Sequence, residues 1–294
     1  MKNFNDIYEK IYQDSFVQLE HERKKTKNQI FSFSFVAIMI GLILGIITNN
    51  IFFIFIFVPA IIVFFILSGK DVTYKKMYKE KIIRVFVKEY SPTLEFLPNS
   101  GISKPTYYSG EFEKFDRYFT EDLMTGTLDN GYKINIGEVK TQRESRDKEG
   151  HVTYTTIFHG LFSEIELENY MPAEIKIRKN TISLFDSKDK VEMDSSEFEK
   201  IFNVYGTNKI TTMQLLTADV MEMFINFKEK NKIVPELTIK NNKLYIRYAT
   251  GSIFEATFLK NALDFDTLLK YYNVINFTLD LTEKLIRNIK EADL

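Results

Sequence analysis

Apolar and polar positions are distributed very unevenly along this chain. Ile30–Ile47 and Ile51–Leu67 are two almost wholly apolar runs without a charged side chain, separated only by Thr48, Asn49 and Asn50. A helix of about 18 residues, rising about 1.5 Å per residue, spans about 27 Å and, with interfacial residues, crosses a hydrocarbon core of about 30 Å. In hydrocarbon a helix lets each segment satisfy its own backbone hydrogen bonds. The pattern therefore predicts a two-helix transmembrane hairpin, the short polar gap turning the second helix straight back. On either side the period changes to that of amphipathic helices. Residues 1–29 place Phe4, Ile7, Tyr8, Ile11, Tyr12, Phe16 and Leu19 at spacings of three and four, and residues 68–90 do the same with Tyr74, Met77, Tyr78, Ile82, Val85 and Phe86 before Pro92. These two helices are expected to extend the hairpin as an antiparallel pair, the alternative being a first helix lying flat on the membrane.

Beyond residue 90 the texture is mixed. Ser91–Tyr108, with Pro92, Pro98, Pro105 and Gly101, has the composition of a linker or irregular cap. Asp129-Asn130-Gly131 is a strong hairpin turn signal ahead of alternating Tyr132, Ile134 and Ile136. Val152–Leu167 reads as a returning strand, with shorter strands expected at Glu174–Arg178, Ile182–Phe185 and Val191–Met193. Ser195 is placed to cap a helix carrying Phe198, Ile201 and Phe202. Lys209–Leu216 suggests a strand, and Ala218–Lys230 a helix capped by Thr217. Leu237–Ile239, Leu244–Tyr248 and Ile253–Phe258 suggest an antiparallel meander, and Phe265–Ile289 a long closing helix. Strands joined by tight turns point to an α+β domain over residues 91–294 rather than a parallel α/β sheet.

Charge then orients the hairpin. Arg23, Lys24, Lys25 and Lys27 precede the first run, and Lys70, Lys75 and Lys76 follow the second, whereas the connecting residues carry no charge. By the positive-inside rule both termini face the cytoplasm of a multi-pass cell-membrane protein. Residues 1–90 hold 13 Lys/Arg against 8 Asp/Glu, and residues 91–294 hold 26 against 32. A mildly acidic domain is a poor nucleic-acid binder, while the basic collar suits lipid head groups. The chain has no cysteine, which excludes disulfides, thiol catalysis and cysteine-ligated metals and suits a reducing compartment.

Candidate chemistry is sparse. Phosphate-loop, dinucleotide, serine-hydrolase and zincin signatures are all missing, and no cofactor is expected. Of three histidines, His151 and His159 fall eight steps apart in one strand, roughly 26 Å, too far to share a metal. His159 beside Gly160 is a candidate acid–base group, although a strand histidine next to a glycine bulge also fits a structural role. Asp116, Glu121, Asp122 and Glu138 are the acidic residues able to hold a cation or move a proton if the fold gathers them, and otherwise they face solvent or cap helices. Gly41 and Gly45 form a small-xxx-small pattern, used either within the hairpin or for homo-oligomerisation.

The order of Phe115-Asp116, Glu121-Asp122-Leu123-Met124-Thr125-Gly126, Ile157-Phe158-His159-Gly160-Leu161-Phe162, Phe198–Tyr205 and Leu215-Leu216-Thr217, followed by a strand–helix unit, resembles the bacterial domain-of-unknown-function family 3137 over roughly residues 75–290. The resemblance implies an architecture, commonly with one or two N-terminal spans, and no activity, substrate or catalytic residue. The combined expectation is a membrane-anchored protein whose cytoplasmic domain binds or scaffolds a protein partner. The alternative is a membrane-tethered metal-dependent hydrolase built on Asp116, Asp122, Glu138 and His159.

Overall fold

The computed structural model describes residues 3–49, 70–128, 131–168, 170–181, 189–252, 254, 256 and 265–292. The chain divides into two units, Met1–Tyr90 with Phe254–Asp266, and Ser91–Ile253 with Thr267–Leu294.

In the first unit, α1 (Phe4–Ile11), a π-helical stretch (Tyr12–Phe16) and α2 (Val17–Thr48) run on as one helical segment, so the polar N-terminal helix and the first apolar run are not separate elements. Asn3 caps its start by accepting from the Asn5 N–H at 3.1 Å. Asn49 ends it in the left-handed region (φ 48°), a conformation asparagine tolerates at a helix C-terminus. α3 (Lys70–Tyr78), a second π stretch (Lys79–Ile83) and α4 (Arg84–Tyr90) form the returning segment. The two segments are antiparallel, because Lys10 pairs with Glu89 at 2.6 Å and Lys81 donates to Gln18 at 2.6 Å. The expected stripe is buried at Phe4, Ile7, Ile11, Phe16 and Leu19. In the returning segment the expected Tyr74, Tyr78, Ile82 and Phe86 are buried, and Ile83 and Val87 join them, whereas Met77 and Val85 are half-exposed. A π turn takes in an extra residue and rotates the helix beyond it, a shift no regular helical period anticipates. α2 is long and apolar enough to cross a membrane, with mean hydropathy 2.7 over its most apolar stretch and side chains such as Phe31 and Ile46 exposed at 67% and 79%. The expected second span, Ile51–Leu67, lies outside the described residues.

The second unit is an α+β domain on an antiparallel sheet. Its strands are β1 (Leu94–Leu97), β2 (Arg117–Thr127), β3 (Lys133–Arg146), β4 (Val152–Glu166), β5 (Ile175–Lys179), β6 (Lys190–Val191), β7 (Phe202–Gly206), β8 (Pro235–Lys240) and β9 (Lys243–Tyr248). Among the described residues their order is β1-β2-β3-β4-β9-β8-β5-β7-β6, every neighbouring pair antiparallel. The β2–β3 register closes through Gly131, whose φ of 89° suits only glycine comfortably. The back face presents Ile134, Ile136, Leu161, Ile165, Ile246 and Tyr248 to helices α8 (Ala218–Asn231) and α9 (Phe265–Glu291). Tyr248 Oη lies 2.6 Å from Thr278 Oγ1, and Phe277 packs on Phe227 and Phe224. The front face is covered by α5 (Lys104–Ser109) and the loop after it, whose Tyr107, Phe112 and Phe115 join Phe158, Phe162 and Tyr245 in an aromatic core.

Several local expectations are corrected. The linker over Ser91–Tyr108 contains β1 and α5, because Ser103 caps α5 and Pro105 suits its first turn. The helix after Ser195 is a single turn, α6 (Ser196–Glu199), after which Phe202 and Val204 alternate into β7. Lys209–Leu216 is mostly helix, α7 (Lys209–Leu215), because Asn208 accepts from the Thr211 N–H at 3.2 Å and its carbonyl from Thr212 Oγ1 at 2.7 Å. Thr217 makes no side-chain cap for α8 and instead accepts from Asn288 Nδ2 at 3.3 Å. The strand expected over Ile182–Phe185 lies outside the described residues. So does most of Ile253–Phe258, of which Phe254 and Ala256 are described and neither is in a strand.

Candidate binding site

On the front of the sheet, α5 and its loop are fastened by charge. β9 places Arg247 between Glu236 on β8, at 2.6 Å, and Glu113 on the covering loop. Glu113 also accepts from Tyr107 Oη at 2.7 Å and from Thr141 Oγ1 at 2.9 Å. Burial pulls the Arg247 guanidinium down, but Glu236 and Glu113 outweigh it and leave the group above its ordinary value. Arg178 on β5 donates to the carbonyls of Leu237 (2.5 Å), Gly110 (3.1 Å) and Glu111 (3.1 Å) and to Thr238 Oγ1 (2.7 Å). Burial pushes it down to about 10. The Phe112 ring has both guanidinium groups near it, Arg178 at 4.4 Å and Arg247 at 4.6 Å from its centroid. Lys176 and Lys240 pair with Glu111, holding its carboxyl below the ordinary range. The network spends its donors and acceptors on the protein itself, so it positions the aromatic cover.

An open depression of about 520 Å³ is lined by Tyr118, Phe119, Thr120, Glu121, Glu138, Lys140 and His159. Register puts Glu121 opposite Glu138 and Lys140 opposite His159, so strands β2, β3 and β4 bring these four side chains to one face. Glu138 is 4% exposed, and its two carboxylate oxygens are used separately. Oε1 lies 3.0 Å from His159 Nε2, and Oε2 accepts from Ser252 Oγ at 3.3 Å. Gly160, next to His159, is required by close packing, since a Cβ there would lie 2.0 Å from the Tyr248 carbonyl oxygen.

Of the four sequence candidates, Glu138 and His159 therefore meet, while Asp116 and Asp122 are used elsewhere. Asp116 is exposed, and its Oδ2 accepts from the Glu144 N–H at 2.7 Å, tying the start of β2 to β3. Asp122 is fully buried at the β2 bulge with φ 58° and is not among the residues lining the depression. A serine nucleophile needs histidine between itself and the carboxylate. Here the carboxylate is in the middle, so Ser252 is not activated by His159. Sequence reasoning missed Ser252, Glu113, Arg178 and Arg247; the one local signal was an arginine at an alternating strand position, which reads equally well as solvent-facing.

The β3–β4 turn gathers Asp147, Glu149 and His151 with ligand atoms within 4.8 Å of one another, all exposed. Asp147 accepts from the N–H groups of Glu149 and His151, each at 2.9 Å, and contacts the His151 ring, which chiefly holds its carboxyl down. That is the chemistry of a closed turn. In the first unit, Lys24, Lys25 and Lys27 are exposed where α2 passes from polar to apolar sequence, and Arg23 is tied to Glu20 at 2.6 Å. A shallow depression of about 540 Å³ there is lined by His21, Lys24, Lys25, Asn28, Gln29, Ser32 and Phe33. Lys70 opens α3, Lys76 is exposed and Lys75 half-exposed.

Residues 156–287 match the model of a family described as "Protein of unknown function (DUF3137)". The matched range is shorter than the resemblance read from the sequence and leaves out Asp116, Asp122 and Glu138. Among solved structures the chain is similar to the crystal structure of the mycobacterial trehalose monomycolate transport factor A, TtfA, at 7% identity and TM-score 0.38, over 69% of this chain and 94% of that one. That likeness is too remote to transfer any function. No curated protein matches the chain.

Proposed function

Residues 156–287 belong to the family of proteins of unknown function DUF3137, and from this chain's own geometry we propose that it is a membrane-anchored binding module rather than an enzyme. In this reading α2 and the run Ile51–Leu67 cross the bilayer, both termini lie in the cytoplasm, and the sheet unit holds a soluble protein partner at the membrane. The observation that carries it is the disposition of Glu138. Its oxygens are occupied by His159 and Ser252, and the other two candidate carboxylates are engaged in the backbone at Asp116 and buried in the bulge at Asp122. Hydrolysis needs a nucleophile or bound water held against a base at the floor of a pocket, and these residues do not build that arrangement. The exposed Lys24, Lys25 and Lys27, together with Lys70, Lys75 and Lys76, suit anionic head groups, each contributing on the order of 1 kcal/mol near such a leaflet. Nucleic acid is not expected, and Gly41 and Gly45 on α2 serve helix–helix packing within the hairpin or between copies.

The hydrolase reading keeps one observation in its favour, the Glu138–His159 pair on the wall of an open depression. Crosslinking of the full chain in intact membranes, with identification of what is captured, separates the two. A cytosolic protein captured in a salt-dependent manner and unaffected by His159→Gln supports the adaptor. Metal-dependent turnover of a phosphate or peptide substrate, lost on Glu138→Gln, overturns it. The full chain is required, because Phe265 packs its ring against Phe4 and Tyr8 of the N-terminal helix.

A further inference from the structure

β4 is much longer than its neighbour on one side. β9 pairs with Leu161–Glu166, and the chain then leaves β4 through a last contact, the Gly251 N–H donating to the His159 carbonyl at 3.0 Å. From Val152 to Phe158, β4 pairs with β3 alone among the described residues, so its other edge is open. The direction of each backbone group is set by the turn and by β2. The Asp147 N–H donates to the His151 carbonyl, which makes that pair hydrogen-bonded. The Gln142 carbonyl accepts from Asp116, and the Glu144 N–H donates to Asp116 Oδ2, so both residues turn away from β4. In an antiparallel ladder hydrogen-bonded and non-bonded pairs alternate. The partners of Arg146, Glu144 and Gln142, which are Val152, Tyr154 and Thr156, therefore direct their N–H and C=O groups outward along the open edge.

Natural sheets protect such edges with charge, proline or an inward-turned strand end. This one has none of the first two: Val152-Thr153-Tyr154-Thr155-Thr156-Ile157-Phe158 is uncharged and consists of strongly strand-forming residues. Val152 and Ile157 are 40% and 38% exposed. We infer that this edge pairs antiparallel with the same edge of a second copy, joining two sheets through a two-fold axis at Tyr154. Centred there, Tyr154 faces Tyr154 of the second copy, Val152 faces Thr156, and Thr153 faces Thr155, which uses every outward N–H and C=O of the three residues. Absence of charge is what admits a second copy as the occupant, since around the axis this edge meets only residues of the same uncharged segment and no like charges are set against one another. The inference does not rest on the membrane-adaptor reading.

The chain has no cysteine, so an introduced thiol is the only one present. Full-length Tyr154→Cys in native membranes should form a disulfide dimer on mild oxidation, well above the background of Ile210→Cys, whose parent side chain is 72% exposed on α7. Detergent-solubilised wild type should show a dimer mass. Thr156→Pro, which removes the outward N–H and a long 3.4 Å contact from Gln142 Nε2 to the threonine hydroxyl, should be monomeric with its secondary structure unchanged by circular dichroism. The double variant Thr153→Lys with Thr155→Lys sets lysine against lysine and should also lose the dimer. Thr153→Lys with Thr155→Glu sets opposite charges together and should regain it. A monomeric wild type, crosslinking no faster at Tyr154→Cys than at the control, or a dimer that survives both the proline and the double-lysine variants overturns the inference. So does protection of the Tyr154 and Thr156 amides from exchange in a monomer, which would show the edge covered by the chain itself.

Discussion

Replacing Arg247 with methionine tests whether the front-face network holds the aromatic cover in place. Methionine keeps an unbranched apolar stem against Phe112 and Phe158 and removes the charge, leaving Glu113 and Glu236, whose side chains are 10% and 16% exposed, without their guanidinium. Breaking a buried pair by deleting one partner costs about 3–5 kcal/mol, because the remaining charge is uncompensated. Glu113 retains Tyr107 and Thr141 as donors, and Glu236 retains the Lys179 N–H at 3.1 Å, which places the expected cost near the lower figure, about 3 kcal/mol. At about 2–4 °C per kcal/mol for a domain of this size, the melting temperature should fall by about 6–12 °C. Adding Glu113→Gln should restore about 1 kcal/mol of the loss, since glutamine still accepts from both hydroxyls and no longer buries a charge. Arg247 is raised by folding, so its contribution is fully present below its ordinary unfolded value, far above neutrality, and is lost only as pH rises through the higher folded one. The deficit should therefore be constant across the neutral range. Melting of the solubilised full chain followed by tyrosine near-ultraviolet circular dichroism measures it. A single variant within 2 °C of wild type, or a double variant less stable than the single, would refute the reasoning.

Gly160→Ala should cost about 1–3 kcal/mol or more from overpacking against the Tyr248 carbonyl, and an unchanged melt would mean that β4 and β9 are further apart than described. Ile136→Asp should prevent folding, because Ile136 is 1% exposed and the carboxylate would be desolvated without a partner; a folded variant would place that residue on the wrong face. Glu111 is held down by Lys176 and Lys240, so its contribution is complete above its ordinary value of 4.5 and lost as pH falls through the lower folded value. Glu111→Gln should accordingly flatten the acid limb of a stability profile, and superimposable limbs would count against the pairing. If the proposed topology holds, Thr48→Cys should react with an impermeant thiol reagent applied to intact cells while Lys148→Cys should not, and the reverse pattern would invert the orientation.

Long, strongly periodic segments were legible without coordinates. The stripe of residues 4–19, the apolar run into α2, the β8–β9 hairpin and α9 all follow from spacing that a single element repeats many times, which makes the local signal self-reinforcing. Short segments were misread where local preference and tertiary demand disagree. Lys209–Leu215 is rich in β-branched residues yet helical, because Asn208 caps it and the buried Thr211, Thr212 and Leu215 belong on one helical face. Phe202, expected to continue a helix from Phe198, instead enters β7, where pairing with β5 satisfies its backbone.

The candidate site divides the same way. That His159 sits in a strand beside a glycine, and that Asp116, Asp122 and Glu138 are the acids to watch, could be read from residue order alone. Which of them meet could not: Glu138 and His159 are neighbours because register sets β3 against β4, and Asp122 is withdrawn by a bulge that displaces one residue of β2. Arg247 with Glu113, and Arg178 with the Gly110 and Glu111 carbonyls, join positions far apart in the chain. By itself the sequence determined the helical and strand periods, the apolar run and the charge around it, because each depends on residues a few positions apart. Pairing partners, the open edge of β4 and the burial of individual charges were decided only by the tertiary structure, because each depends on which distant segment arrives to exclude water.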